Sequence, residues 1–223
     1  MLNIAHRGAS GHKPENTLAA FTKAMDLSAD MIEFDLRCSK DKELVIIHDE
    51  TVNRTTNGRG KVCNKDLAQL KLLNAGDGEE IPTLDEALSV IGNRCLINIE
   101  LTEAGIAKRL AKALQPFYYM WDSILISSFL FTELKIFYYY MPSMKVSYLA
   151  DQLNIHSMKE ISQLPIYSLN LNKDFLDEDL LEWLHSLSFK VFAFTVNSQK
   201  DLKTMRDLKV DGIFTDYPDI FHR

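Results

Sequence analysis

Met31-Ile32-Glu33-Phe34-Asp35-Leu36 alternates apolar and acidic side chains, and an alternation of period two belongs to a β-strand. On a strand rising about 3.3 Å per residue, Glu33 and Asp35 share one face with their Cα atoms about 6.6 Å apart. Ile32, Phe34 and Leu36 take the other face. Two readings follow. If the acidic face lines the inside of a closed sheet, two buried anions require positive charge nearby, and a divalent ion bound through oxygen supplies it compactly. If that face meets solvent, the strand is an ordinary half-exposed one with its apolar side on the core. The rest of the chain chooses between them.

On either side of this stretch, short β-branched runs alternate with helical patterns. Upstream, Leu2 to Ala5 reads as a strand, and Asn16 reads as the N-cap of a helix running to about Leu27. Downstream, Leu44 to His48 extends or follows the acidic strand. Residues 50–80, which contain Asn57-Gly58-Arg59-Gly60 and Gly76-Asp77-Gly78, read as an irregular polar insertion. Thr83 and Glu86, after Pro82, have the spacing of a capping box opening a helix to about Ile91. Strands are expected at Cys95 to Glu100, Ile124 to Ser127, Lys145 to Leu149, Ser168 to Asn170, Val191 to Thr195 and Gly212 to Thr215. Helices are expected near 103–115, 130–140, 157–163, 177–186 and 199–208, with Leu180, Leu181, Leu184 and Leu187 on one apolar face.

Eight βα steps in 223 residues place the chain in the α/β class as a (β/α)8 TIM barrel rather than an open doubly wound sheet. No Gly-x-Gly-x-x-Gly follows the first strand. One barrel domain spanning 1–223 is expected, with the insertion at about 50–80. In such a barrel the functional groups gather at the carboxyl ends of the strands. His6, Glu33, Asp35, His48, Glu100, Ser128 and Asp216 all fall at or just past those ends.

Composition bounds the function. With 46% hydrophobic and 25% charged residues the chain can bury a large core, and its net charge of −6 argues against a nucleic-acid binder that relies on a broad basic surface. Cys38, Cys63 and Cys95 are odd in number and lack metal-ligand spacing, so they read as reduced, structural thiols. No apolar run reaches the roughly 18 residues that a membrane span needs, and Leu2-Asn3-Ile4-Ala5 is too short for a secretory signal. A cytoplasmic location is therefore expected. The aromatic stretch from Phe117 to Met141 reads as two core elements, with a membrane-facing patch around Tyr138, Tyr139 and Tyr140 as the lesser alternative. The sequence leaves self-association open.

The strand-end residues define a chemistry. Arg7 offers a planar fork for two phosphate oxygens, and Gly8 permits a tight backbone beside it. Neutral His6 can take a proton, and His48 supplies a second imidazole so that base and acid can be divided between them. Glu33, Asp35 and Glu100 form a hard-oxygen set suited to Mg²⁺ or Ca²⁺ rather than zinc. Together these groups point to phosphodiester cleavage. Asp216 is expected to cap the short segment before Pro218, with orientation of His6 as the alternative. Glu15 either bonds Arg7 or caps the first helix. His12, His156, His185 and His222 have no partner motif and are expected in solvent.

His6-Arg7-Gly8-Ala9-Ser10-Gly11, Pro14-Glu15-Asn16-Thr17, Glu33-Phe34-Asp35 and His48-Asp49 with Arg54-Thr55-Thr56-Asn57-Gly58 resemble the glycerophosphodiester phosphodiesterase family. Pro82-Thr83-Leu84, Ile99-Glu100, Ser127-Ser128-Phe129, Thr195-Val196-Asn197 and Asp211-Gly212-Ile213-Phe214-Thr215-Asp216-Tyr217-Pro218 continue the resemblance in order. It implies a metal-dependent hydrolase that releases sn-glycerol 3-phosphate and an alcohol from diesters such as glycerophosphocholine or glycerophosphoethanolamine. By motif position Glu33, Asp35 and Glu100 would hold the metal, His6 and His48 would be the acid/base pair, and Arg7 would grip the phosphate. The partner implied is that small diester. Two departures stand out. Thr102 replaces the lysine common in the family two positions after the third carboxylate, which lowers positive charge and implies either weaker phosphate binding or a compensating cation from elsewhere. Phe194 replaces a common tryptophan. These changes keep two alternatives open, a lysophospholipase D or other enzyme of bulkier diesters, and a non-catalytic phosphate-binding module.

Overall fold

Neither face of the acidic strand meets solvent. The computed structural model describes residues 1–222, apart from the side chains of Ile155, His156 and His222; the solvent positions expected for His156 and His222 thus lie outside the described residues. In it, β1 (Leu2–Ala5) pairs in parallel with β2 (Met31–Cys38). The sheet continues in parallel through β4 (Leu96–Leu101), β5 (Ile124–Ser128), β6 (Lys145–Ala150), β7 (Ile166–Asn172), β8 (Lys190–Phe194) and β9 (Gly212–Thr215). Strand β9 returns to β1 in the register Leu2↔Gly212 to Ala5↔Thr215, which closes an eight-stranded parallel barrel among the described residues. Strand β3 (Leu44–Ile46) stands outside that count. It folds back antiparallel on β2 through Leu36↔Ile46 and Cys38↔Leu44, so Leu44 to His48 is a hairpin arm rather than a barrel stave.

The helices α1 (Leu18–Asp26), α3 (Leu84–Ile91), α4 (Ala107–Ala113), α5 (Phe131–Tyr140), α6 (Ile155–Ile161), α7 (Glu178–Ser186) and α8 (Gln199–Asp207) fall between the strands, as the alternation requires; α2 (Leu67–Lys71) belongs to the insertion. The outward row Ile32, Phe34 and Leu36 is fully buried against this layer, with Phe34 5.5 Å from Phe21 of α1. Each such side chain contributes about 1.5–3 kcal/mol by leaving water. Inside the barrel, Ile4, Met31, Leu125, Phe192 and Phe214 plug the amino end. Above the plug the interior turns polar. Parallel partners share a face, so the register Asp35↔Glu100↔Ser127↔Ser147↔Ser168 runs one row of polar side chains around the inner wall.

Local chemistry explains where the elements begin, and it corrects several expectations. Thr83 and Glu86 form the capping box of α3 in both directions. Helix α1 is capped by Thr17, whose hydroxyl accepts from Ala20 N–H, rather than by Asn16. Residues 50–80 are more ordered than a polar loop: α2 carries its own capping box from Asp66 to Gln69. Val45, Ile47, Val52, Val62, Leu70, Ala75 and Ile81 close a small separate core there. Those apolar positions lie too far apart to produce a helical or strand period. In α7, Leu181 and Leu184 are buried while Leu187, at the C-cap, is exposed. The cysteines are free, but only Cys38 and Cys95 are buried; Cys63 is exposed and plays no part in a core. Burial pushes the Cys95 thiol up to about 12.

Candidate active site

Three carboxylates converge at the carboxyl end of the barrel. Glu33, Asp35 and Glu100 each offer an oxygen within 4.8 Å of the others, and Glu33 and Asp35 are only 2% and 1% exposed. The strand register produces this, because Asp35 pairs with Glu100 across β2 and β4 and both side chains enter the barrel. The cost is visible in their acidity. Burial, and then the charges of Asp35 and Glu100, hold Glu33 well above the usual carboxylate range. Burial and Asp35 push Glu100 up to about 8. Glu33 Oε2 accepts the Arg7 backbone N–H at 2.8 Å, whereas Glu33 Oε1 is buried with no hydrogen-bond partner among the described residues. A crowded set of oxygen donors with one oxygen left over fits a bound divalent cation.

The turn after β1 supplies the neighbouring positive charge. Arg7 adopts a left-handed backbone (φ 57), which aims its N–H at Glu33; a non-glycine residue held there is strained and concentrates at functional sites. Gly8 follows at φ 78, and a Cβ there would meet the backbone of Ala20 at 2.7 Å, so glycine is required. The Arg7 guanidinium donates through NH1 to Glu15 Oε1 at 2.8 Å, and its Nε sits 3.2 Å from Asp35 Oδ2 without hydrogen-bond alignment. Burial opposes the charge on Arg7, but Asp35, Glu33 and Glu15 outweigh it and raise its pKa. Asn16, also left-handed (φ 59), donates from its amide to Asp35 Oδ2 at 2.8 Å and accepts from Asp35 N–H. It orients a carboxylate instead of capping a helix.

Two imidazoles flank this cluster, each held by a carboxylate. His6 Nδ1 lies 2.7 Å from Asp216 Oδ1, and Asp216 also accepts from Ser10 and Asn197. Burial pushes the Asp216 carboxyl up, but the bonds from His6, Asn197 and Ser10 prevail and hold it below its ordinary value. Asp216 is therefore an orienting partner of His6 and not a cap. His48 Nδ1 lies 2.7 Å from Asp49 Oδ1. Arg54 grips Asp49 with Nε and NH2 and Glu15 with both terminal nitrogens. A continuous chain thus runs His48, Asp49, Arg54, Glu15, Arg7, Asp35, which settles Glu15 as a bridge between arginines.

Other expectations resolve differently. Ser128 lies at its strand end, but its hydroxyl donates to Leu101 O and accepts from Leu130 N–H, tying backbone together outside the cluster. His12 and His185 are exposed, as expected, and each also has an acidic partner, Asp219 at 2.8 Å and Asp211 at 3.0 Å. Thr102, in place of the family lysine, donates to Leu36 O. Arg37, two residues past Asp35 on the same face, adds a field that lowers Glu100 after that of Arg7, and its NH1 is paired with Glu103 Oε2 at 3.2 Å. Arg37 also donates to His48 O at 2.7 Å and pins that arm. The strand period alone places Arg37 on the acidic face; the roles of Asn16 and Arg54 have no signal outside the ordered motifs. The opposite side of the mouth is apolar. Phe129, Leu130 and Phe175 are exposed there, and Phe129 stacks edge-on against Phe194 at 5.9 Å.

Carboxylates, guanidinium and carboxylate-held imidazoles at the mouth of a (β/α)8 barrel define the chain as a phosphoric diester hydrolase. Residues 6–220 match the glycerophosphoryl diester phosphodiesterase family, and the chain belongs to that family. It is 38% identical to the glycerophosphodiester phosphodiesterase of Caldanaerobacter subterraneus subsp. tengcongensis, over 98% of this chain and 95% of that protein. It is 31% identical to one from Bacillus subtilis, over 100% of this chain and 86% of that one. Among solved structures, an Oleispira antarctica phosphodiesterase in complex with the product sn-glycerol-3-phosphate superimposes with a TM-score of 0.92 at 30% identity, covering 98% and 94% of the two chains.

Proposed function

We propose that this chain hydrolyses glycerophosphodiesters to sn-glycerol 3-phosphate and an alcohol, as one catalytic unit spanning 1–223 with the insertion at about 50–80. The observation that carries the reading is the convergence of Glu33, Asp35 and Glu100 within 4.8 Å, beside Arg7 and with Glu33 Oε1 lacking a hydrogen-bond partner among the described residues. The product bound to the Oleispira relative supports the substrate class. A cytoplasmic setting agrees with three free cysteines.

In this reading Glu33, Asp35 and Glu100 hold Mg²⁺ or Ca²⁺, because carboxylate oxygens alone suit hard cations. What the ion supplies when bound is positive charge against the negative charge that grows on the phosphoryl oxygens. Arg7, with one edge fixed by Glu15, presents its remaining N–H groups to the phosphate. His6 and His48 each commit Nδ1 to an aspartate, which leaves Nε2 for proton transfer. One imidazole takes a proton from the attacking oxygen, either water or a neighbouring substrate hydroxyl, as its bond to phosphorus forms, and the other returns a proton to the departing alkoxide as its P–O bond breaks. Where the substrate hydroxyl attacks, water then opens the cyclic phosphate to glycerol 3-phosphate.

The test is release of glycerol 3-phosphate from glycerophosphoethanolamine with and without a chelator. Turnover that ignores the chelator and survives Glu33→Ala and His6→Ala defeats the proposal, and tight phosphate binding without product marks a binding module instead. The apolar wall of Phe129, Leu130 and Phe175 favours a second reading, a bulkier diester such as a lysophospholipid. Turnover of lysophospholipids measured against deacylated diesters separates the two.

A further inference from the structure

The catalytic reading leaves one conspicuous surface unused. On the outer face of α4 and α5, Tyr139 is 80% and Tyr140 44% exposed, with their rings 5.2 Å apart and edge to face. The Tyr138–Tyr140 triplet is therefore no core element: Tyr138 packs against the core and its two neighbours stand in water. The Lys108 ammonium lies 5.4 Å from the Tyr140 ring. Lys108, Lys135, Ile136, Tyr139 and Tyr140 line a cavity of ≈ 570 Å³ between the two helices. A second exposed pair, Tyr118 and Tyr119, sits on the segment after α4. The Gln115 amide 3.0 Å from Met141 Sδ brings the start of that segment against the end of α5.

The charge of this region runs against the rest of the chain. Lys108 and Lys135 are the cations that line the cavity, while Arg109 and Lys112 line the neighbouring groove with Glu43 and Asp85. Residues 103–145 as a whole carry Lys108, Arg109, Lys112, Lys135 and Lys145 against Glu103, Asp122 and Glu133, in a chain of net charge −6. Glu133 lines the cavity but does not neutralise it at the surface. It is buried, and its two oxygens accept the backbone N–H groups of Gly105 and Ala107 at 2.8 and 2.9 Å. We propose that the α4–α5 face docks on an anionic phospholipid bilayer. Tyrosine combines an apolar body with a polar tip and settles at the headgroup level, and lysines beside it are drawn to anionic lipid. A protein partner of the usual kind would select against lysine at the centre of the contact.

The topology adds a consequence. Both helices run back from the mouth toward the amino end of the barrel, so Tyr139 and Tyr140, at the end of α5, lie away from Glu33, Asp35 and Glu100. Docking through this face leaves the mouth open to a water-soluble diester, and the proposal stands independently of which diester is cleaved.

The experiment is co-sedimentation of the full chain with phosphatidylcholine vesicles, with and without phosphatidylglycerol, at rising salt. The expected result is binding to the anionic vesicles alone, falling as salt screens the lysines. The double variants Tyr139→Ser with Tyr140→Ser, and Lys108→Glu with Lys135→Glu, each weaken it by about tenfold or more. Turnover of a soluble diester stays at the parent level in both variants, which shows them folded. No binding by the parent chain, binding indifferent to phosphatidylglycerol, or variants that bind as the parent does overturns the proposal. So does a dimer in sedimentation velocity that the same substitutions abolish, since the face would then be an interface between copies.

Discussion

His6 and His48 each set Nδ1 2.7 Å from an aspartate oxygen, yet the partners are 210 residues apart in one case and adjacent in the other. The His6 arm is assembled by closure of the barrel: β9 lies beside β1, and Asp216 just past β9 meets the residue just past β1. Its carboxylate is fixed from three sides by His6, Ser10 and Asn197. The His48 arm hangs from the β3 hairpin, and its side chain is more exposed, 41% against 23%. It is steadied by arginines, Arg54 on Asp49 and Arg37 on the His48 carbonyl. Hydrogen bonds from Arg54 lead the causes that hold Asp49 well below the usual carboxylate range. The same imidazole pose thus arises once from long-range packing and once from local charge, and the two arms should fail differently.

The largest effect is expected on removing either ring. His6→Ala or His48→Ala should lower kcat by about 10²–10⁴-fold while the thermal midpoint stays near that of the parent. Glycerol 3-phosphate release and a melting curve check both halves of that statement. Asp216→Asn should cost about 10–100-fold in kcat, because a partner that orients a ring acts through it. Asp49→Asn should cost less, about tenfold or under, since Arg37 still holds the His48 backbone. Equal losses in the two aspartate variants would dissolve the contrast between the arms.

A third expectation concerns the carboxylates between them. Without a divalent ion, Glu100 titrates near 8 and Glu33 is raised as well, both chiefly by burial, while unfolded glutamates titrate near about 4.3. Across that window the unfolded chain binds fewer protons than the folded one, so stability falls as pH rises. The thermal midpoint of metal-free protein should drop from about pH 5 to about pH 8. Added Mg²⁺ should raise it more at the upper end, where the ion replaces protons that have left. A gain independent of pH would separate the acid cluster from metal binding. The smallest effect belongs to Thr102→Lys, which restores a cation toward the mouth and should lower KM by about two- to five-fold. An unchanged KM would mean that Arg37 already fills that need.

The barrel itself was legible in the chain. Period-two runs alternate with helical ones, and their spacing puts Glu33 and Asp35 on one face of β2, within the strand rather than at its end. That this face lines the inside of a barrel followed from the eight alternations of the whole chain. Less legible were residues whose role depends on a turn. Asn16 and Thr17 are both good caps, and only the left-handed backbone at Asn16 turns its amide to Asp35. The insertion looked irregular because its seven core residues come from β3, loops and α2 without a common period. The tyrosine triplet looked like core because aromatic runs usually are, but the end of α5 leaves two of its rings in water.

By itself the sequence determined the strand and helix rhythm, the hard-oxygen character of the donors and the supply of a second imidazole at His48 just past a short apolar run. These depend on residues close along the chain, where backbone periodicity dictates which side chains share a face. Only the tertiary structure decided that Asp216 serves His6, that Glu15 joins Arg7 to Arg54, and that the basic, tyrosine-rich face of α4 and α5 stays uncovered. Each of those depends on distances across a closed sheet or on which surface other elements happen to cover, and no local pattern carries that information.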